Sequence, residues 1–194
     1  MQSPRAIIVA GPNGSGKTTF AYEYLAVRHY PYISADVIAE SLAPTDIQSV
    51  RLEAGRLFFQ QVAREVSAGD DFLVESTLAG RGFQRVIHNL RDASYEISIA
   101  FVFLSSAEAC LARVHERVRK GGHPVPDLDV IRRFYRSCSN FWRLYRPLVD
   151  RWHLFYNGSA QFHEVAVGEG TTSDVRDETL FDVFLRITED HQYD

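Results

Sequence analysis

Residues 11–18 read Gly-Pro-Asn-Gly-Ser-Gly-Lys-Thr and match G-x-x-x-x-G-K-[ST] at every fixed position. The glycines let successive backbone N–H groups turn toward one point. A helix opening near Lys17 adds the positive end of its dipole. The apolar run Ala6–Ala10 precedes the loop and a helical pattern over 17–27 follows it. This is the strand–loop–helix setting that a phosphate cradle requires. It predicts ATP phosphates held by Gly11, Pro12, Asn13, Gly14, Ser15, Gly16, Lys17, Thr18 and Thr19, with Lys17 on the β- and γ-phosphates and the Thr18 hydroxyl on Mg²⁺.

Such a loop needs a parallel sheet behind it, and the remaining sequence supplies one. Short apolar runs at 32–34, 72–75, 97–104, 153–156 and 162–167 alternate with helical patterns at 46–68, 83–90, 107–118, 127–152 and 173–188. The predicted fold class is α/β, a nucleotide-kinase-like P-loop NTPase. Its three α/β/α layers are built on a mainly parallel sheet, with an arginine-bearing helical lid at about 113–137. The 194 residues suit one domain, with no linker or repeat to divide them. Apolar residues make up 45% of the chain, enough for a core without staples. Cys110 and Cys138 are too few for a disulfide framework and read as buried thiols of a reducing compartment. The apolar stretch after Arg5 is too short for a secretory signal or a membrane span, so a cytoplasmic protein is expected. A net charge of −4 disfavours nucleic acid as a partner.

The loop alone does not distinguish kinases from motor ATPases or GTPases. The best motor-type strand, Phe101–Leu104, ends in Ser105-Ser106 rather than in acidic residues. Neither Leu-Ser-Gly-Gly-Gln nor Asn-Lys-x-Asp occurs. These features point to a small-molecule kinase. Asp36 follows the second strand at the end of the sheet that faces the nucleotide, where a carboxylate can take the proton of an attacking hydroxyl. It could equally serve as a helix N-cap. Glu75 and Thr77 end the third strand, Glu75 suiting substrate hydroxyls or a Mg²⁺-bound water and Thr77 a substrate phosphate or amide. Arg113, Arg117 and Arg119 close one helix and Arg132, Arg133 and Arg136 open the next, across Gly121-Gly122-His123-Pro124-Val125-Pro126. That is the layout of a lid carrying cations over a triphosphate, with His123 beside them.

Together these segments resemble the zeta-toxin family of P-loop kinases, in particular its short bacterial branch. The likeness is carried by 10–20 (AGPNGSGKTTF), 34–39 (SADVIA), 72–80 (FLVESTLAG), Phe101–Leu104, the lid 113–137 and the late loop Tyr156-Asn157-Gly158-Ser159. The resemblance implies Asp36 as general base and Lys17, Arg117 and one of Arg132 or Arg133 on the phosphates. It implies Asn157 near the adenine and Glu75 and Thr77 on the acceptor. Where the longer toxins carry Glu-Gly-Thr-x-Arg, this chain has Glu75-Ser76-Thr77-Leu78-Ala79, with Arg81 standing in for the missing arginine at a different spacing. The implied reaction is ATP- and Mg²⁺-dependent phosphorylation of a hydroxyl on a UDP-activated amino sugar such as UDP-N-acetylglucosamine. A small helical antitoxin is the implied protein partner, and neither nucleic acid nor membrane is expected. The residues themselves leave two alternatives open: a nucleotide-gated binding protein, or a kinase of another metabolite or of nucleic acid.

Overall fold

The structure, a computed structural model, describes residues 3–158 and 161–189. Its frame is a seven-stranded sheet in the order β2-β3-β1-β4-β5-β6-β7. The strands are β1 (Arg5–Ala10), β2 (Tyr32–Ser34), β3 (Phe72–Ser76), β4 (Glu96–Phe103), β5 (Arg151–Tyr156), β6 (His163–Gly168) and β7 (Asp174–Val175). The first five in spatial order run parallel, and β6 and β7 are antiparallel additions at one edge. Helices α1 (Lys17–Val27), α2 (Ala35–Leu42), α3 (Arg51–Ala68), α4 (Phe83–Asp92), α5 (Ala107–Arg119), α6 (Asp127–Asn140) and α7 (Glu178–Glu189) complete the three layers.

The alternation of β1 sorts the core into two. Ala6, Ile8 and Ala10 face the larger cluster, with Phe58 and Val62 of α3, Ile87 of α4 and Phe134 of α6. Ile7 and Val9 face the other way, onto Ala21 of α1 and Leu73. β4, apolar from Ile99 to Phe103 and buried on both faces, is the central strand that its composition predicts. Both cysteines are buried and unpaired. Burial pushes the Cys110 thiol up to about 12, so it packs as an apolar group. Among the described residues no helix is long and apolar enough to cross a membrane.

Three predicted boundaries move. The helix predicted over 46–68 begins at Arg51, because residues 47–50 form turns. The one predicted from Asp127 to Trp152 ends as α-helix at Asn140, continues as a π-turn over Phe141–Tyr145 and a 3₁₀ turn over Arg146–Leu148, and gives way to β5. Pro147 is the reason: it lacks an N–H, and its ring clashes with the helical turn before it. The final helix starts at Glu178 rather than near Ser173, leaving Asp174–Val175 to pair with β6.

Candidate active site

The parallel strands end along one edge of the sheet, and the turns after β1, β2, β3 and β5 bring the candidate residues together there. After β1 the chain passes through Gly14 (φ 81°) and Gly16 (φ 100°). A Cβ at Gly14 would stand 2.5 Å from the Cys110 carbonyl oxygen, and one at Gly16 2.2 Å from Nδ2 of Asn157. Both positions therefore demand glycine for conformation and for space. The first turn of α1 carries neither a side-chain cap nor an acidic residue, which leaves its N–H groups and dipole to an anion. Lys17 is buried beneath the loop, its Nζ donating to the Pro12 carbonyl at 3.0 Å. A cavity of about 160 Å³ lies on this cradle, lined by Gly16, Lys17, Thr18, Thr19, Arg113 and Arg117 among others.

β3 delivers Glu75 in register between Val9 of β1 and Ser34 of β2. Glu75 is buried, with Oε1 accepting from the Thr18 hydroxyl at 3.3 Å and Oε2 from the Tyr32 hydroxyl at 2.6 Å. Burial and the adjacent carboxylate push the Tyr32 phenol well above its ordinary range, so it remains a donor. Glu75 borders both the phosphate cavity and the larger one beside it. The Thr18 hydroxyl and the Glu75 carboxylate are hard oxygen donors next to the cradle, a set that fits Mg²⁺.

Asp36 is the second residue of α2, in the helical turn that directly follows β2. The N-cap position belongs to Ser34, so capping does not account for Asp36. Two further cavities adjoin the cradle. One, of about 510 Å³, opens between α3, the loop after β3 and α6. The other, of about 460 Å³, lies between α2 and the loop at 122–125. Asp36 is the one residue among those described that lines all three cavities.

The arginines divide between these spaces. Arg117 lines the phosphate cavity and the 460 Å³ cavity, its Nη2 donating to the His123 carbonyl at 3.0 Å. Arg133 lines the 510 and 460 Å³ cavities, its Nη1 3.4 Å from Oδ1 of Asn13 and its Nη2 3.6 Å from Asp129. Burial, followed by the charge of Arg51, lowers its pKa. Arg132 pairs with Asp129 at 2.8 Å and borders the 510 Å³ cavity, away from the phosphate cradle. Thr77 lines that same cavity, and His123 lines the 460 Å³ one with its ring 3.6 Å from Glu40. Arg81 is exposed ahead of α4 and borders none of the three. Asn157 donates from Nδ2 to the Ser15 carbonyl at 2.8 Å, and Ser159 of the same predicted loop lies outside the described residues.

Sequence reasoning missed several neighbours. Arg113, counted in the lid without a role, lines the phosphate cavity and donates to the Asn157 carbonyl. Phe162 stands beside Gly16 and packs edge-on against Phe20 at 5.1 Å. An aromatic residue at the head of the apolar run 162–167 was the available signal. Asn140 and Tyr145 left no local signal. Nδ2 of Asn140 donates to the Leu78 carbonyl at 3.0 Å, and the Tyr145 hydroxyl donates to the Gly80 carbonyl. They hold a strained loop, since Leu78 is 1% exposed and adopts φ 53°, which costs a β-carbon residue about 1–2 kcal/mol. The Ser76 hydroxyl accepts the Leu78 N–H at 3.2 Å and completes the turn. Burial pushes the Tyr145 phenol up to about 12, which keeps it protonated and donating.

A family model described as an AAA domain matches residues 7–140. A protein of Haemophilus influenzae described as uncharacterized is 28% identical over 136 residues, covering 68% of this chain and 92% of its own. Among solved structures, the AvrRxo1-ORF1:AvrRxo1-ORF2 complex with sulphate ions superposes at a TM-score of 0.71 with 19% identity and 96% of this chain covered. A second structure of that complex, with ATP, gives 0.70 at the same identity. The PezAT chromosomal toxin-antitoxin system of Streptococcus pneumoniae gives 0.71 at 17% identity, over 95% of this chain and 80% of that one. The chain spans 64% of the AvrRxo1 chain that it matches. These likenesses establish a P-loop kinase-like fold.

Proposed function

Since the chain belongs to the AAA domain family, whose model matches residues 7–140, we propose that it is a single-domain ATP-dependent kinase of zeta-toxin type. In this reading it transfers the γ-phosphoryl group to a hydroxyl of a UDP-activated amino sugar such as UDP-N-acetylglucosamine. The observation that carries the reading is the place of Asp36, on the phosphate cradle and on both acceptor-sized cavities at once. That corner is open to an acceptor hydroxyl from either cavity. Asp36 takes the hydroxyl proton as the new P–O bond forms and the bond to ADP breaks. Lys17, Arg117 and Arg133 are cations around the corner that stabilise charge on the phosphoryl oxygens. Thr18 and Glu75 would hold Mg²⁺, which would supply charge neutralisation to the phosphates. Glu75 and Thr77 face the acceptor, with His123 on the lid side.

The toxin-antitoxin system and the two-protein complex among the structural relatives support a small helical antitoxin as partner. Incubation with ATP, Mg²⁺ and a panel of UDP-sugars, read by mass, should yield a singly phosphorylated amino-sugar product. No product from any UDP-sugar would remove the substrate assignment. A fully active Asp36→Ala variant would remove the base.

A further inference from the structure

One wall of the 510 Å³ cavity is not explained by packing. Gly55 lies inside α3, where glycine costs about 0.5–1 kcal/mol relative to alanine. Its backbone is helical, so no left-handed conformation requires it. Nothing stands within 4 Å of the position its Cβ would take. What the missing side chain opens is the cavity itself, which Gly55 lines together with Phe59 one turn later. The Phe59 ring is 50% exposed, yet it is braced edge-on at 5.3 Å by Phe58, which is buried. Bare backbone beside a fixed aromatic face makes a flat floor.

Across the cavity stand Arg132, Arg133 and Arg136 of α6. Asp129 pairs with the first two. Arg132 and Arg133 share that one carboxylate, which leaves this wall positive. Asp36 and Glu75 are the carboxylates at the opposite, phosphate end, and Glu75 is already engaged by Thr18 and Tyr32.

We propose that the Gly55–Phe59 face of α3 selects the acceptor: it is a slot for the planar ring of an anionic molecule, whose charge meets the α6 arginines and whose hydroxyl reaches Asp36. The identity of the occupant rests on the kinase reading above; the slot itself does not. A ring lying on Gly55 stacks on Phe59 and faces guanidinium planes, the arrangement in which aromatic and cation–π contacts add. A side chain at position 55 would stand where the ring lies.

The test uses the full chain with the P-loop saturated by Mg²⁺ and a non-hydrolysable ATP analogue. The probe is 8-anilinonaphthalene-1-sulfonate, an anion that carries a planar naphthalene ring, and its uncharged counterpart N-phenyl-1-naphthylamine controls for charge. Gly55→Leu fills the slot while improving helix propensity, so misfolding does not confound it. The wild type should bind the anionic probe saturably at one site. Overfilling should weaken that binding at least about tenfold in Gly55→Leu and about threefold in Gly55→Ala, with affinity for the ATP analogue unchanged. Phe59→Ala should lose about tenfold by removing the platform. Equal probe affinity in wild type and Gly55→Leu, or no saturable binding to the wild type, overturns the slot. Equal binding of the neutral probe overturns its preference for anions. Probe binding that depends on Gly55, with no UDP-sugar turned over by the wild type, upholds the slot and removes the UDP-amino sugar as its occupant.

Discussion

Gly14→Ala tests whether the phosphate cradle is as tightly constrained as its geometry indicates. Two costs follow from the structure. The residue sits at φ 81°, where a side chain costs about 1–2 kcal/mol. The new Cβ would also lie 2.5 Å from the Cys110 carbonyl oxygen and 3.2 Å from Cγ2 of Val114. Cys110 and Val114 are buried on α5 and cannot retreat. The loop must move instead, by roughly 0.7–1 Å to restore ordinary van der Waals separation, and its free direction is into the phosphate cavity. The loop N–H groups that face the phosphates move with it, and losing two hydrogen bonds to a charged group, at about 1.5 kcal/mol each, weakens binding on the order of a hundredfold. Gly14→Ala should therefore lose about 1–2 kcal/mol of stability in denaturant unfolding and bind Mg²⁺–ATP about a hundredfold more weakly by calorimetry. Gly82→Ala is the control: its φ is −62° and nothing lies within 4 Å of its Cβ position, so ATP affinity should hold. A folded Gly14→Ala protein binding ATP within threefold of wild type would refute the argument from a rigid α5.

Asp36→Asn should lower acceptor-dependent kcat by about 10²–10⁴-fold while ATP affinity, measured separately, stays unchanged. Tyr145→Phe removes one buried hydrogen bond to the Gly80 carbonyl and should cost about 1 kcal/mol in thermal or denaturant unfolding. Because the loop it holds lines the acceptor cavity, acceptor KM should rise more than ATP KM; equal changes in both would argue against a local effect. Asp71 accepts from the Arg5 backbone N–H at 2.7 Å and from its guanidinium at 2.6 and 3.0 Å. Burial alone would raise its pKa, but these bonds and the Arg5 charge outweigh that and lower it. Its stabilising contribution is therefore present above the unfolded carboxylate value of about 4 and is lost as pH falls through the lower folded value. Asp71→Asn should lose about 1–2 kcal/mol at pH 7 and much less near pH 2–3, read from urea midpoints.

The parts of this molecule that were legible in its sequence are those encoded locally. The loop from Gly11 to Thr18, the alternating strand before it, the buried run of β4 and the Gly-Pro break between α5 and α6 each carry a signal within a few residues. The end of α6 was misread because Asn140 to Tyr145 keeps helical apolar spacing, while Pro147 acts on the turn before it. The site was legible as residue types and not as a meeting place. Glu75 reaches Thr18 and Tyr32 only through the register of three strands. Asn140 finds the Leu78 carbonyl across 62 positions, a contact no local pattern announces.

The hold that Asn140 and Tyr145 keep on the loop after β3 makes α6 a lever. It bears Arg132, Arg133 and Arg136, and its far end, with the π-turn, is fastened to the strained segment at Leu78–Gly80. Seven residues of helix from Arg133 to Asn140 make an arm of about 10 Å. A tilt of about 10° about that fastening sweeps the arginines by nearly 2 Å, more than the difference between a made and a broken hydrogen bond. Pressure on the loop from below is likewise transmitted to the cations above. Two walls of the 510 Å³ cavity, the loop after β3 and the arginine-bearing helix, are thus joined by these two hydrogen bonds.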